Sequence, residues 1–430
     1  MFPNKGILAL LIYHLATLIN DPIVLYYGEE GFATPRQFAI IIGIFLTAPH
    51  VKIDRNTFFY RSIKWLLLFY LSCILSFLVF SILGKANDNY LLTLITDGAN
   101  IIWLFFIGNV LSREVTTSDK KTVILCILLL GLIPLLSGWY EFFLGHSLMS
   151  GGFAEKGIGS FFWVRGFHND KIDFVSGLAP CVFLSYILIF QNGLKSWYLI
   201  PYLLSSIFLI LFTFSITGIL GILGGLLILA LYYGTFRFKI IIAILLILTC
   251  MTIFIAIETE RGKFLTDQYL LKYQRQVKIE NIASGNARYV MGIICIREFI
   301  NNPIWGIGFG SHVLVIKEQL RGWNVGGNAH SILSVAADLG LIGSIPFVLF
   351  WMSLYRIVFL AKKKYSKYFH DQYSTTMFRL SLALSIFVLF NLLFYFHTIG
   401  NAIFILWPSI VYATFNVKDC IQLNRRNRKI

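Results

Sequence analysis

Charge is scarce in this sequence: 13% of its 430 residues are Asp, Glu, Lys or Arg, against 57% hydrophobic residues and a mean hydropathy of +0.75. Soluble domains carry about 25% charged residues, so a water-facing surface over most of the chain is excluded. Acidic residues are the scarcest, 21 against 36 basic ones, which leaves a formal charge of +15. The cysteines include no CxxC pair and no spaced His/Cys set, which excludes a disulfide framework and a zinc site. Cys73, Cys126, Cys181, Cys250 and Cys295 fall in apolar or helix-like stretches and Cys420 in a basic tail. The first apolar run, Gly6 to Ile19, has no A-x-A-like exit and is expected to stay in place as a first helix rather than be cleaved. No internal repeat or low-complexity tract is present to organise a solenoid.

What the chain does have is apolar runs. Spanning a bilayer takes about 20 apolar residues per helix, because each backbone amide must find its partner within its own segment. Runs near 6–19, 37–49, 65–83, 90–110, 122–140, 172–190, 197–213, 217–233, 239–257, 341–360, 378–396 and 399–415 qualify or nearly do. The expected fold class is therefore all-α, a polytopic transmembrane helical bundle of about twelve spans with a large extracytoplasmic loop containing short helices. Trp and Tyr mark many of the run ends, as interfacial anchors do.

Lys and Arg lie in short clusters between the runs, which makes them topology signals rather than a nucleic-acid surface. Lys52, Arg55, Arg61 and Lys64 share one loop, Arg113, Lys120 and Lys121 another, and Lys195, Arg237 and Lys239, and the Lys362–Lys367 cluster follow in alternate loops. With the tail Arg425, Arg426, Arg428 and Lys429 they all fall on one side, so both termini are expected in the cytoplasm. The expected division is 1–257, about nine spans with a shorter outward loop at 141–171; 258–331, a large outward loop; 332–415, the C-terminal spans; and 416–430, a basic cytoplasmic tail. Long connections without a function are uncommon in compact proteins, so the two outward loops are where chemistry is expected.

In the large loop, Asn286 to Asn302 has helix composition, with Asn286 as a cap, Arg288 in the first turn and Pro303 beyond the end. Pro303 to Gly310 (PIWGIGFG) is a glycine-rich turn suited either to close approach of a bulky ligand or to a plain change of direction. Residues 326–343 read as a helix start with Asn328 as its cap and His330 in its first turn. The positive end of a helix favours neutral imidazole, the form that accepts a proton, and attracts phosphate. Taken singly, such a histidine is usually a surface or packing residue, and arginines at a bilayer surface, as Arg288 and Arg297 are expected to be, most often serve lipid headgroups or snorkel. The shorter loop ends in Trp163 to Asp173, where Arg165, His168, Asn169, Asp170 and Lys171 crowd the entrance of a span, either as an interfacial cap or as a binding site. Two arginines from two loops would suit a diphosphate, whose oxygens match the guanidinium fork.

At these residues the chain resembles the O-antigen ligase and polymerase superfamily, often called the Wzy and WaaL families. The resemblance rests on order and spacing: Arg288 opening a helix, the run Pro303, Gly306, Gly308 and Gly310, then His330 followed by Asp338-Leu339-Gly340-Leu341-Ile342-Gly343 entering the next span. The run Arg165-Gly166-Phe167-His168-Asn169 is similar to the family's shorter arginine-bearing loop. Ser331 stands where many relatives have Asn, and Ile216-Thr217 where many have a Ser-Arg pair.

The resemblance implies metal-independent glycosyl transfer, with no cofactor, on the outer face of the bacterial inner membrane. The donor is an undecaprenyl-diphosphate-linked oligosaccharide. His330 is the implied catalytic base; Arg288 and Arg165 are implied to hold the diphosphate, with Arg297, Asn328, His168 and Asn169 completing the substrate site. The branch is expected to be a repeat-unit polymerase of O-antigen, capsule or a similar polysaccharide, acting with a chain-length-regulating co-polymerase. The alternatives are an O-antigen ligase that moves polymer onto lipid A core and, from another class, a lipid-linked oligosaccharide flippase. Two related halves and charged midplane helices would mark a transporter, whereas here the polar residues collect in two unequal loops.

Overall fold

The computed structural model describes residues 4–19, 34–54, 57–86, 90–144, 164–168, 171–192, 196–213, 215–233, 285–320, 331–365, 371–394 and 402–415. The regular structure among these residues is helical. In chain order the α-helices are α1 (Lys5–Leu18), α2 (Pro35–Thr47), α3 (Phe58–Ile82), α4 (Leu91–Glu114), α5 (Thr117–Leu130), α6 (Leu132–Leu144), α7 (Lys171–Asn192), α8 (Leu199–Phe212), α9 (Ile216–Tyr233), α10 (Gly285–Asn301), α11 (Ser311–Gln319), α12 (Ser331–Tyr365), α13 (Gln372–Phe394) and α14 (Ala402–Thr414). Among the described residues, six stretches are long and apolar enough to cross a membrane: Phe58–Ile82, Leu91–Arg113, Thr117–Leu144, Lys171–Phe190, Ser331–Leu360 and Gln372–Leu393. Lys5–Leu18, Leu199–Phe212, Thr217–Leu231 and Ile403–Thr414 are shorter apolar helices. Each apolar run read from the sequence coincides with a helix except 239–257, which lies outside the described residues.

Local chemistry starts these helices where they start. Thr34 and Gln37 form a reciprocal capping box ahead of α2, with Pro35 in its first turn, and Thr116 and Asp119 do the same for α5. Asn4 caps α1 and Thr57 caps α3 through side-chain oxygens. α5 and α6 are separated only at Gly131, so they act as one rod, 28 residues long.

The sides of the rods obey membrane logic. On α3, Leu68, Leu71, Leu75, Leu78 and Ile82 form an exposed apolar stripe, while Ser62, Ser72, Cys73 and Ser76 are buried on the opposite side. Small and hydroxyl residues inside with leucine outside suits a solvent of lipid, where close packing and hydrogen bonds hold helices together. α14 is buried along its length and forms the centre with α7 and α13. Tyr412 shares a hydrogen bond with Ser62 of α3 at 2.9 Å, and the indole of Trp407 donates to the Ser381 carbonyl of α13 at 2.9 Å. This is an integral membrane protein by its apolar helices.

Polar contacts also define two ends of the bundle. The amide of Asn4, opening α1, donates to Asp119 at the start of α5, and Lys120 donates to Ser374 at the start of α13. Asn109 and Arg113, near the end of α4, bond the backbone of Lys52, ahead of α3. These are segments that the charge reading assigns to one side, and the fold gathers them at one end. α1, α3 and the α5–α6 rod all leave that end, so Leu18, Ile82 and Leu144 lie toward the other.

Candidate functional site

At the end away from the basic loops, the glycine-rich turn between α10 and α11 locks into α12. A continuous helix would donate the amides of Leu341 and Ile342 to the carbonyls of Ala337 and Asp338. α12 breaks instead at Gly340, whose φ of 59° is left-handed, and the bonds are exchanged with the turn. Ile307 and Gly308 donate to the carbonyls of Ala337 and Asp338 at 2.9 and 3.0 Å, while Leu341 and Ile342 donate to those of Pro303 and Ile304 at 2.8 and 3.3 Å. The Leu341 and Ile342 amides and the Ala337 and Asp338 carbonyls are thereby paired again, as burial requires. A methyl at Gly306 (φ 68°) would overlap the Asp338 carbonyl, and one at Gly340 the Ile304 carbonyl, so the interlock needs glycine on both sides.

The Asp338 side chain completes the lock. Its Oδ2 accepts from the amide of Gly310 at 2.8 Å and its Oδ1 from that of His312 at 2.8 Å, so it caps α11, whose own cap residue is a glycine. His312 Nδ1 lies 2.7 Å from Oδ2. A carboxylate that accepts two amides has no proton to offer, which assigns the hydrogen to Nδ1. The turn also docks on the bundle: Phe309 donates its amide to Ser76 of α3 at 3.1 Å, and the Tyr90 ring packs edge-on against Phe309 and His312.

α10, α11 and the first turns of α12 share an apolar cluster of Met291, Ile294, Cys295, Ile316, Leu320 and Ala337. The Cys295 thiol contacts Ser334 and is pushed up to about 12, chiefly by burial and then by the Asp338 charge. Cys295 beside Ser334 and Pro303–Ile304 beside Leu341–Ile342 make α10 and α12 run in the same direction. The first turn of α10, with Arg288, and the start of α12 at Ser331, the residue after His330, therefore lie at one end of this unit. Arg297 is exposed on α10.

Arg165 and His168 come from a second segment. The turn 164–168 precedes α7 and is pinned from two sides: Glu141 Oε2 accepts the amides of Arg165 and Gly166 at 2.7 and 2.6 Å, and Val164 donates to the Phe212 carbonyl at 3.3 Å. Arg165 and His168 are both 5% exposed and Glu141 is fully buried. A buried acid at the end of an apolar rod is expensive unless employed; here it fixes the backbone that carries the arginine.

Three expectations need correction, and three of the candidate site residues lie beyond what the structure describes. The helix with Arg288 starts at Gly285, so Asn286 is inside it and is not its cap. Glu141 to Leu144 are the last turn of α6, so the shorter connection begins after Leu144. The helix start at 326–343 and the span at 341–360 are one element, α12, broken at Gly340. His330, Asn328 and Asn169 fall outside the described residues. Sequence reading missed His312 and Glu141; the latter stood out as a lone acid in an apolar run, whereas nothing in the local pattern marks His312.

Residues 201–348, about a third of the chain, match the model of the family described as O-Antigen ligase. The match runs from α8 into α12 and takes in Arg288, the glycine turn, His330 and Asp338, but not the turn with Arg165. That stretch is of the O-antigen polymerase and ligase superfamily. No curated protein matches the chain.

Proposed function

We propose, from the premise that residues 201–348 are an O-antigen ligase family segment, that the protein polymerises undecaprenyl-diphosphate-linked oligosaccharide repeat units. The reaction takes place on the outer face of the bacterial inner membrane. The bundle has about twelve spans and both termini in the cytoplasm, which the gathering of the basic loops at one end supports. The acceptor hydroxyl oxygen attacks the anomeric carbon of the donor glycan, and the bond from that carbon to the diphosphate oxygen breaks. His330 takes the hydroxyl proton. Arg288 and Arg165 hold the diphosphate and stabilise the charge that grows on it as it leaves, which is the role a divalent ion plays elsewhere. Arg297, Asn328, His168 and Asn169 complete the substrate site, and a co-polymerase sets chain length.

One observation carries this reading: the interlock of the glycine turn with α12 brings the first turn of Arg288's helix and the residue following His330 to the same end of one packed unit. An anion-binding arginine and a base from distant sequence positions must converge in this way if both are to act on one donor. The family description itself favours a second reading, transfer of finished polymer to lipid A core.

The test is the polysaccharide ladder from cells lacking the native gene and supplied with this chain or its His330→Ala variant at matched membrane levels. A long ladder with the wild type and single capped repeats with the variant is expected. Lipid-linked polymer that accumulates until the wild type is supplied would identify the ligase instead. An unchanged ladder with the variant would remove His330 from the mechanism.

A further inference from the structure

α1 brings a side chain to the Arg165 turn that the reaction above does not use. His14 is 3% exposed, and its Nε2 makes no hydrogen bond among the described residues. A buried polar atom without a partner is costly and calls for a reason, one of which is a ligand that binds there. Among the described residues, His168 lies close enough to act on His14 electrostatically. His168 Nε2 and the side chain of Leu18, one turn beyond His14, approach Gly177 of α7 together, which places α1 across the turn.

His14 and His168 thus come together where α1, α7 and the 164–168 turn converge, and Arg165 belongs to the same turn. The nearby carboxylate, Glu141, has its Oε2 committed to two backbone amides. Two imidazoles facing each other in a buried site disfavour each other's charge, and an anion between them removes that penalty. A diphosphate offers two anionic groups to such a set, with more acceptor oxygens than the two parallel bonds of one guanidinium fork engage.

We infer that His14, with His168, joins Arg288 in binding the second phosphoryl group of the lipid-linked diphosphate whose first is held by Arg165. This rests on the reading of Arg165 as a diphosphate ligand, and it adds the first helix, far outside the 201–348 segment, to the donor site.

The experiment measures binding of geranylgeranyl diphosphate and geranylgeranyl monophosphate to the full chain in nanodiscs. The wild type should prefer the diphosphate. His14→Gln and His14→Asn should each weaken diphosphate binding about tenfold, the scale of one lost charge-assisted hydrogen bond, and leave the monophosphate unchanged. Equal weakening of both ligands, an intact diphosphate preference, or failure of both variants to fold would make His14 a packing residue and overturn the inference. Arg165→Gln separates the two levels. If it weakens both ligands while the His14 variants do not, the donor-site reading stands without His14; if it changes neither ligand, that reading of the turn fails as well.

Discussion

His312 Nδ1 and Asp338 Oδ2 meet at 2.7 Å inside the protein, joining the start of α11 to the turn of α12 just before its break. The same carboxylate takes the amides of Gly310 and His312, so a single side chain satisfies a helix N-terminus, orients an imidazole and closes the glycine turn.

Replacing Asp338 by Asn exchanges a charged acceptor of three hydrogen bonds for a neutral group with one acceptor oxygen. Hydrogen bonds to charged groups are worth about 1.5–3 kcal/mol each, so Asp338→Asn should lower stability by about 2–4 kcal/mol. Thermal unfolding in detergent would register this as a clear fall in midpoint. A variant that melts with the wild type would show that the carboxylate does not hold the turn.

Gly306→Ala and Gly340→Ala each force a left-handed residue, at about 1–2 kcal/mol, and add a methyl against a backbone carbonyl that cannot swing away. Gly84 is the control: its φ is 65°, yet nothing lies within 4 Å of an added methyl. Folded protein recovered from membranes should fall sharply for the first two and little for Gly84→Ala. Equal recovery of all three would mean that backbone conformation alone, rather than the interlock, sets the cost.

Glu141 presents Oε2 to both amides of the Arg165 turn. Glutamine can put its carbonyl oxygen in that place, but alanine leaves two buried N–H groups bare, at about 1–3 kcal/mol each. Polymer ladders should therefore shorten far more with Glu141→Ala than with Glu141→Gln. The opposite order would point to the negative charge, rather than the amide contacts, as what matters.

Cys295 is 1% exposed, and its thiol is raised to about 12, so at pH 8 it remains protonated, well below its own titration. Maleimide should fail to label it in native membranes and should label it after denaturation. Rapid native labelling would show that α10 does not lie closed on α12.

Much of the fold was legible in the chain. Scarce charge and recurrent apolar runs point to helices because lipid leaves the backbone no other partner, and the runs from 6–19 to 399–415 fall on helices wherever the structure describes them. The glycines of the 303–310 run mark a structured turn, because left-handed turns leave glycine in the sequence as a trace. The caps were less legible: Asn286 has the composition of a cap yet lies inside α10, since a cap is set by backbone geometry and not by residue type.

By itself, then, the sequence determined the membrane-spanning class and the positions of the apolar helices. These are set by solvent and by local backbone preference, which act on neighbouring residues. Only the tertiary structure decided that Asp338 reaches back to Gly310 and His312, that α12 trades backbone bonds with the 303–310 turn, and that Glu141 and His14 converge on the Arg165 turn. Those pairings join residues tens to more than a hundred positions apart. Their energy comes from burying polar groups that must then find partners, and no pattern of neighbouring residues records which partner the packing supplies.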